Sequence, residues 1–387
     1  MDIMVIPFHD WRKSEKEGFR TRDVHFIRAL ANKNLSNRIL VINRPITKLE
    51  LSYKRFKKDL KGNIILKDGR FTLTEVDVNI FVADFHSTDI LGQARHKFKW
   101  FIEAYNSESY KSFIEDCCEY LQFKKPRLLT QNIFGYKLAV SINCEHKVFD
   151  AWDNFLKFPG YLHLNKELQN AYSIMSKEIA NWTTNSNENI IFYKENFKVK
   201  NIELLKNGVK ANFAEGLVNI PKDLQSIKKP WIGFGGKVSY LMDFELINFI
   251  AADNPNSSFI FVGQILDKKV YQKIIKRKNV FFLGDKKYNI YANYVKSFDI
   301  CIVPYNVKSK QHGGDSMKAY EYLLAKKKVV GTNGNGLQDL EDFIYVTNSK
   351  YEFSKELKSL ENEKRKLPIQ EHTWERKANI LLCLLNE

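Results

Sequence analysis

The clearest pattern in the sequence lies in residues 298–332, FDICIVPYNVKSKQHGGDSMKAYEYLLAKKKVVGT. The apolar runs 299–304 and 328–331 have the length of strands, and the amphipathic stretch 316–325 between them has the length of a helix. Both runs are apolar throughout and do not alternate with polar residues, which is typical of parallel strands covered on both faces. The segment therefore predicts a strand, a helix and a second, parallel strand.

The same alternation extends outward through the whole chain. In the second half, strands are predicted at 231–234, 258–262 and 280–283, and helices at 240–252, 269–275 and 290–297. In the first half, strands are predicted at 3–8, 38–43, 78–82, 127–130, 147–150, 181–184 and 201–205, and helices at 23–32, 90–105 and 110–123. This alternation predicts an α/β protein with two doubly wound, Rossmann-like domains.

The boundary between the domains is expected in residues 214–230, which contain prolines and show no clear periodicity. The predicted domains are 1–213 and 214–370, and a final helix follows at 371–387.

The composition is that of a globular protein. The chain has 387 residues, 44% hydrophobic and 27% charged, which excludes a disordered chain, a collagen and a small disulfide scaffold. No run approaches the roughly 18 apolar residues of a spanning helix, and the first residues lack the features of a signal peptide. The five cysteines follow no metal-ligand spacing, so we expect neither a zinc site nor structural disulfides. A cytoplasmic protein is predicted.

Basic residues outnumber acidic residues by 61 to 45, which gives a net charge of +16. Nucleic acid, an anionic lipid surface or an anionic small substrate could each be the partner of this charge, and a lysine-rich surface without a partner is the alternative. No nucleic-acid-binding motif accompanies the charge, and the aromatic residues fall singly within apolar patterns. We therefore expect no nucleic acid, and peripheral contact with an anionic membrane is kept as a hypothesis.

Ligands of open parallel sheets bind where strands end at their carboxyl side, and this rule selects several loops. The first, Gly233-Phe234-Gly235-Gly236-Lys237, follows a predicted strand. Glycines let backbone N–H groups approach an anion closely, and Lys237 adds a positive charge. A plain glycine turn is the alternative interpretation.

A second loop leads into the helix at 316–325 and ends in His312, Gly313, Gly314, Asp315 and Ser316. Glycines and N-cap residues before a helix are typical of a phosphate site. Lys318 lies in the first turn, where a cation opposes the helix dipole unless an anion binds there, and Glu321 lies on the same helix face. One interpretation is that Lys318 binds a phosphate and Glu321 binds sugar hydroxyls. The other is a surface ion pair between the two.

A third loop, residues 9–22, follows the first predicted strand. Its candidate residues are His9, Asp10, Arg12, Gly18, Arg20 and Arg22. By the strand-end rule these residues face the cleft between the domains. A solvated charged loop is the alternative.

Several motifs, taken in order, resemble one family. They are VFDAWD at 148–153, LNKE at 164–167, WTTNS at 182–186, KNGVK at 206–210, IGFGG at 232–236, FVG at 261–263 and FDICIVP at 298–304. The most specific is KAYEYLLA at 318–325, followed by KVVGT at 328–332. Together they resemble the GT-B glycosyltransferases, in particular glycosyltransferase family 4 and its teichuronic-acid-type bacterial members.

The resemblance implies two Rossmann-like domains facing across a cleft, with the C-terminal helix crossing back to the N-terminal domain. It implies a nucleotide-sugar donor on the C-terminal domain, with a UDP-sugar favoured over a GDP-sugar. Glu321 would contact the ribose, and Lys318 and Lys237 the diphosphate. The remaining donor-binding residues would be Gly235, Gly236, Gly313, Gly314 and Ser316, and the catalytic residues His312, Asp315, Lys318 and Glu321.

The resemblance also implies a glycan or lipid-linked acceptor near residues 9–22, in bacterial surface polysaccharide synthesis at the inner membrane face. Members of the family are expected to retain the anomeric configuration and to need neither a metal ion nor a cofactor.

The sequence departs from the family at Gly313, where many members carry the earlier of two glutamates, the later one being Glu321. Asp315 and His312 are the candidate replacements. Two rival functions stay open: a nucleotide-sugar 2-epimerase on the same fold, and a catalytically inactive scaffold subunit of that fold, which the missing glutamate favours.

Overall fold

The computed structural model describes residues 1–31, 36–307 and 314–387. The chain divides into two compact units, Met1–Lys206 with Glu375–Glu387, and Asn207–Trp374. These bounds differ by a few residues from the expected 1–213, 214–370 and 371–387. The first boundary is earlier because Val209 and Phe213 lie in the core of the second unit, where the Val209 N–H donates to the His372 carbonyl at 2.8 Å.

The first unit is built on a mixed sheet in the order β10-β9-β8-β7-β1-β2-β6-β5-β4, and β3 pairs with β6. Its strands are β1 Asp2–Ile6, β2 Arg38–Ile42, β3 Ile46–Thr47, β4 Asn63–Asp68, β5 Phe71–Asp77, β6 Ile80–Ser87, β7 Arg127–Thr130, β8 Lys147–Asp150, β9 Asn181–Thr184 and β10 Asn201–Leu204. The pairings of β5 with β4 and β6 are antiparallel, and the other pairings are parallel.

The helices of the first unit pack on this sheet. They are α1 Trp11–Lys16, α2 Arg22–Leu30, α3 Lys48–Lys54, α4 Ile90–His96, α5 Phe98–Tyr105, α6 Glu108–Tyr120, α7 Tyr136–Ser141, α8 Asn165–Glu178 and α9 Asn187–Phe197, with 3-10 turns at Ile133–Gly135, Phe155–Lys157 and Pro159–Leu164. The prediction of one helix over 90–105 is wrong, because Lys97 has a φ of +48° and separates α4 from α5.

The second unit is built on a parallel sheet in the order β13-β12-β11-β14-β15-β16. Its strands are β11 Trp231–Gly235, β12 Ser258–Val262, β13 Val280–Phe282, β14 Ile300–Val303, β15 Lys328–Thr332 and β16 Tyr345–Thr347. Its helices are α10 Lys222–Gln225, α11 Phe244–Asp253, α12 Lys268–Lys273, α13 Tyr288–Ser297, α14 Met317–Leu324 and α15 Lys350–Glu356, with 3-10 turns at Gln338–Leu340 and Ile369–His372. A last helix, α16 Trp374–Leu384, belongs to the first unit from Glu375 onward.

Each sheet has a point where the strand order reverses. In the second unit it lies between β11 and β14, because β11 to β13 follow one another toward one edge of the sheet and β14 to β16 toward the other. This is the strand order of a dinucleotide-binding domain. In the first unit β1 lies between β7 and β2, so the reversal lies beside β1. The predicted class, α/β with two doubly wound domains, is confirmed. Every helix of the described residues is too short or too polar to cross a bilayer.

Candidate functional site

The glycine-rich loop after β11 lies at the reversal point of the second sheet. The Gly235 N–H donates to the Tyr322 hydroxyl at 2.7 Å. Gly236 has a φ of +149°, and a Cβ there would lie 2.8 Å from Cε of Lys318. Glycine is therefore needed at this position both for the backbone and for the passage of the lysine side chain. Lys237 follows and is half-buried.

Lys318 reaches this loop from the first turn of α14. Its Nζ lies 5.4 Å from the ring centre of Phe234 and 4.9 Å from that of Tyr305, and it donates to the Tyr305 hydroxyl. Within the described part of the chain, no carboxylate lies within ion-pair distance of Nζ. The ion pair with Glu321 that the spacing allowed is thus absent, and among the described residues the ammonium group contacts two aromatic faces and a phenol hydroxyl.

Glu321 is buried at the base of the same site, with 6% of its surface exposed. Its Oε1 accepts a hydrogen bond from the Tyr288 hydroxyl at 2.7 Å. Burial, together with the nearby Glu321 charge, raises the pKa of Tyr288 well above its ordinary value. Tyr288 therefore stays a protonated donor and fixes the orientation of the carboxylate.

Asp315 holds the loop before α14 in place. One carboxylate oxygen accepts from the Asn207 N–H, and the other accepts from the Tyr320 hydroxyl at 2.8 Å. Gly314 packs against Asn335, where a Cβ would come within 2.3 Å of the backbone. His312 and Gly313 lie outside the described residues.

Ser316 occupies the N-cap position of α14, but its side chain makes no capping hydrogen bond. Its hydroxyl is buried and has no hydrogen-bond partner within the described ranges. The expectation that Ser316 caps α14 through a side-chain hydrogen bond is therefore wrong. A buried hydroxyl at a helix N-terminus beside Lys318, with no partner among the described residues, is suited to donate a hydrogen bond to an anionic ligand.

Residues 9–22 form helix α1 and the turns on either side of it, and Asp10, Arg12 and Arg22 are buried, so the interpretation as a solvated charged loop is wrong. Asp10 caps α1 through the N–H groups of Arg12 and Lys13. Arg12 forms a two-pronged ion pair with Asp84, with Nη1–Oδ1 at 2.9 Å and Nη2–Oδ2 at 2.5 Å. Arg22 forms a second two-pronged ion pair, with Asp150, in which the Nε–Oδ2 and Nη2–Oδ1 distances are both 2.9 Å. These two arginines position the loop against the sheet.

His9 is the member of this loop that pairs with a carboxylate of α2. Both its N–H and its Nδ1 contact Asp23 Oδ2, at 2.8 Å and 3.0 Å. Burial raises the pKa of Asp23, but His9 and Thr21 more than offset this effect and hold it well below its ordinary value. Gly18 turns the chain with a φ of +79°, and Arg20 pairs with Glu17 at 3.1 Å.

A cavity of about 160 Å³ lies at the carboxyl ends of β1, β2 and β7. Its aromatic lining is Phe8, Phe98, Phe101, Tyr105, Phe134 and Tyr161. Its polar lining is His9, Asp10, Lys13, Arg44, Lys54 and Asn132. Of the predicted acceptor-side residues, His9 and Asp10 line this cavity. Among the described residues, no cluster of three His, Cys, Asp or Glu side chains is placed to hold a metal ion.

Several residues of these sites are not among those predicted from the sequence. Arg44 could have been found, since it follows β2 at the same sheet edge as residues 9–22. Tyr288 and Tyr305 give no motif signal, because their proximity to Glu321 and Lys318 depends on tertiary packing. Lys54 lies on the unpredicted helix α3.

Comparisons with known proteins agree with this architecture. No family model matches the sequence. A segment is 30% identical over 104 residues to a Bacillus subtilis (strain 168) protein named "Putative teichuronic acid biosynthesis glycosyltransferase TuaH". This match spans 26% of this chain and 26% of that protein.

Solved structures match over the whole chain at low sequence identity. Sucrose-phosphate synthase from Thermosynechococcus elongatus aligns with a TM-score of 0.69 at 13% identity, covering 100% of this chain and 98% of that one. The UDP-forming trehalose-phosphate synthase from Burkholderia xenovorans in complex with glucose-6-phosphate aligns with a TM-score of 0.69 at 9% identity, covering 100% of both. A structure described as trehalose-6-phosphate from E. coli bound with UDP-2-fluoro glucose aligns with a TM-score of 0.64 at 10% identity, covering 100% of this chain and 99% of that one. The chain thus has the fold of the GT-B glycosyltransferases, which its sequence motifs predicted.

Proposed function

We propose that this protein is a glycosyltransferase that moves a sugar from a nucleotide-sugar donor to a glycan or lipid-linked acceptor. A UDP-sugar is the favoured donor, since structural neighbours are UDP-forming or bound with a UDP-sugar analogue. The local similarity to a teichuronic acid glycosyltransferase supports a role in bacterial surface polysaccharide synthesis. The proposal rests above all on one observation: Lys318 lies at the reversal point of the second sheet and has no carboxylate partner among the described residues.

The chemistry requires stabilisation of a leaving group. As the bond between the anomeric carbon and the diphosphate oxygen breaks, negative charge gathers on the nucleoside diphosphate, and a new bond forms from the anomeric carbon to the acceptor oxygen. Lys318, Lys237, the Ser316 hydroxyl and the N-terminus of α14 would stabilise this charge. The acceptor oxygen would attack from the face on which the diphosphate leaves and pass its proton to the departing diphosphate oxygen, so transfer would proceed with retention and without a metal ion or a cofactor.

The other candidate residues take supporting roles in this proposal. Glu321, oriented by Tyr288, would accept hydrogen bonds from the ribose hydroxyls. Asp315 would hold the loop 314–316 that faces the donor sugar. The acceptor would bind in the cavity of the first unit, where His9, oriented by Asp23, can bind an acceptor hydroxyl.

The net charge of +16 supports work on the cytoplasmic side of a membrane, in peripheral contact with anionic lipid. Each basic residue near such a surface contributes about 1 kcal/mol.

The test is the substitution Lys318→Ala, assayed with a panel of UDP- and GDP-sugars. We expect turnover to fall about a hundredfold or more, because removal of one preorganised donor to a developing anion typically has this effect. Lys350→Ala is a matched control. Lys350 also begins a helix of the second unit and also lies over an aromatic ring, that of Phe249 at 4.7 Å, but Ser349 caps its helix.

Turnover of Lys318→Ala near the wild-type level would refute the assignment, as would an equal loss in Lys350→Ala. Incubation with donor alone separates the rival functions. Conversion of the donor to its epimer would identify a 2-epimerase. Donor binding without transfer to any acceptor would identify an inactive scaffold.

A further inference from the structure

The cavity of the first unit carries more positive charge than its own carboxylates neutralise. Three cations line it, Lys13, Arg44 and Lys54, against one carboxylate, Asp10. Asp10 is already engaged, since it accepts from the Arg12 N–H at 3.0 Å and from Asn43 Nδ2 at 3.1 Å. The lining therefore presents an excess of cationic groups.

Arg44 and Lys54 share a single carboxylate. Glu50 Oε1 accepts from Arg44 Nη2 at 2.5 Å and from Lys54 Nζ at 2.5 Å. Glu50 Oε2 is occupied by Gln93 Nε2 at 2.6 Å. Two positive charges thus face one negative charge, and this group of three side chains keeps a net positive charge.

Arg44 has N–H donors that no described residue accepts from. A guanidinium carries five N–H donors in a planar fork, and within the described residues Glu50 is the partner of Arg44. Burial lowers the pKa of Arg44, but Glu50 and Asp10 raise it above its ordinary value, so the group stays charged. Its side chain is 14% exposed and lies 4.5 Å from the Phe101 ring centre, whereas Lys54 is 36% exposed. Arg44 therefore lies deeper in the cavity and Lys54 nearer to solvent.

The aromatic part of the lining sets the size and shape of the ligand. Phe98 and Tyr161 meet edge to face at 4.8 Å, and Phe134 lies 5.5 Å from each of them. The volume of about 160 Å³ is close to that of a cavity that holds one benzene molecule. Aromatic faces with a few polar groups are suited to the apolar C–H face of a single sugar ring.

We propose that this cavity binds the acceptor through a sugar ring that carries an anionic group, a phosphate ester or a carboxylate, and that Arg44 recognises this group with Lys54 at the mouth. The proposal rests on the glycosyltransferase function above, because it names the acceptor class of that enzyme. Planar, two-pronged hydrogen bonding to phosphate or carboxylate is what a guanidinium with free donors does best.

The experiment measures the affinity of the full-length protein, without donor, for glucose, glucose 6-phosphate and glucuronate by titration calorimetry at low salt. We expect the anionic sugars to bind at least about tenfold more tightly than glucose, and Arg44→Gln to remove this preference. Arg44→Lys should restore part of it, since the charge returns without the fork. The ratio of glucose 6-phosphate to glucuronate affinity distinguishes a phosphate from a carboxylate acceptor.

Arg28→Gln is the matched control for Arg44→Gln. Arg28 also lies over a phenylalanine ring, 3.9 Å from that of Phe19, and also pairs with a carboxylate, Asp77 at 3.7 Å, but it does not line the cavity. We expect it to keep the preference for anionic sugars. Should Arg44→Gln fail to fold, Lys54→Gln should lower the preference by a smaller factor.

Three results would overturn the proposal: equal affinity for glucose and the anionic sugars, no binding of either anionic sugar, or an equal loss for all three sugars in Arg44→Gln. Loss of the preference in Lys318→Ala would also overturn it, since the anion would then bind at the donor site. UDP affinity, measured in parallel, tests the glycosyltransferase proposal separately and should be the same in wild type and Arg44→Gln.

Discussion

At the scale of single residues, buried side-chain pairs fix the position of the segment after β1. Arg12 binds Asp84, and His9 binds Asp23. A buried pair contributes little net stability, but removal of one partner leaves an uncompensated charge and costs about 3–5 kcal/mol. These pairs therefore act mainly by fixing where the cavity-lining residues His9 and Asp10 lie.

Because of these pairs, we expect the free energy of unfolding to fall in acid. Burial raises the pKa of Asp84, but Arg12 and His86 hold it well below its ordinary value. Unfolded carboxyls take up protons near their ordinary pKa of about 3.9, at a higher pH than the folded ones. The stabilisation is thus complete above that pH and is lost as the pH falls toward the folded value. We expect the urea midpoint to drop steeply below about pH 4.

Asp84→Asn is the variant that checks this explanation. It should lower the free energy of unfolding at pH 7 by about 3–5 kcal/mol and should flatten the dependence on pH below 4. Asp77→Asn is the control, since Asp77 is half exposed and its contact with Arg28 at 3.7 Å is a surface pair. An acid profile in Asp84→Asn as steep as in wild type would show that other groups cause it.

At the scale of elements, two helices of the second unit begin differently. Ser349 caps α15 by accepting from the Glu352 N–H at 3.2 Å. Ser316 stands at the same position of α14 and makes no such bond. A helix that lacks its cap keeps N–H groups available for a ligand, so α14 is suited to binding where α15 is suited to stability.

Alanine substitutions should separate the two roles. Ser349→Ala should lower the free energy of unfolding by about 1 kcal/mol and leave UDP affinity unchanged. Ser316→Ala should leave stability nearly unchanged and weaken UDP binding severalfold. Calorimetry of unfolding and of UDP binding measures both quantities for each variant. Equal stability losses in the two variants would show that Ser316 acts as an ordinary cap.

The sequence predicted the buried elements better than the exposed ones. The strands β7, β8, β9 and β12 were predicted with the bounds observed, and each is buried over nearly its whole length. The hairpin of β4 and β5 was missed, because β4 is mostly exposed and reads Asn-Ile-Ile-Leu-Lys-Asp without a buried run. The break at Lys97 was missed because neither glycine nor proline marks it.

The candidate site was predictable where it follows the strand-end rule. Gly235, Gly236, Lys318 and Glu321 were selected from the sequence because they follow strands or begin the next helix. The partners of these residues, such as Tyr288, come from segments distant in sequence, and only packing brings them together. Local sequence patterns therefore cannot predict such contacts.

At the scale of the whole molecule, each unit has its own sheet and its own candidate site beside a reversal of strand order. The first unit is discontinuous, since it also contains Glu375–Glu387. Leu381 and Leu385 of this segment are fully buried, and the Leu385 carbonyl accepts from Arg127 Nε at 2.8 Å. The final segment is therefore part of the first core.

Deletion of residues 375–387 should therefore destabilise the first unit and spare the second. Each lost buried leucine costs about 2–5 kcal/mol, so we expect the unfolding transition of the first unit to fall by about 10 °C or more. UDP affinity should stay within about twofold. Differential scanning calorimetry and UDP titration measure the two effects. Deletion of the exposed Asn386 and Glu387 alone is the control, and an equal loss there would contradict the assignment.

The discontinuity of the first unit also has a consequence for biosynthesis. Domains generally fold as units while the nascent chain leaves the ribosome, the N-terminal one first. Here Glu375–Glu387, which completes the N-terminal core, is translated after Asn207–Trp374, and Asn207–Trp374 is one uninterrupted stretch. The order of maturation is then reversed: the later-translated unit can reach its native state first, and the earlier one completes its core only after Glu375–Glu387 has been translated.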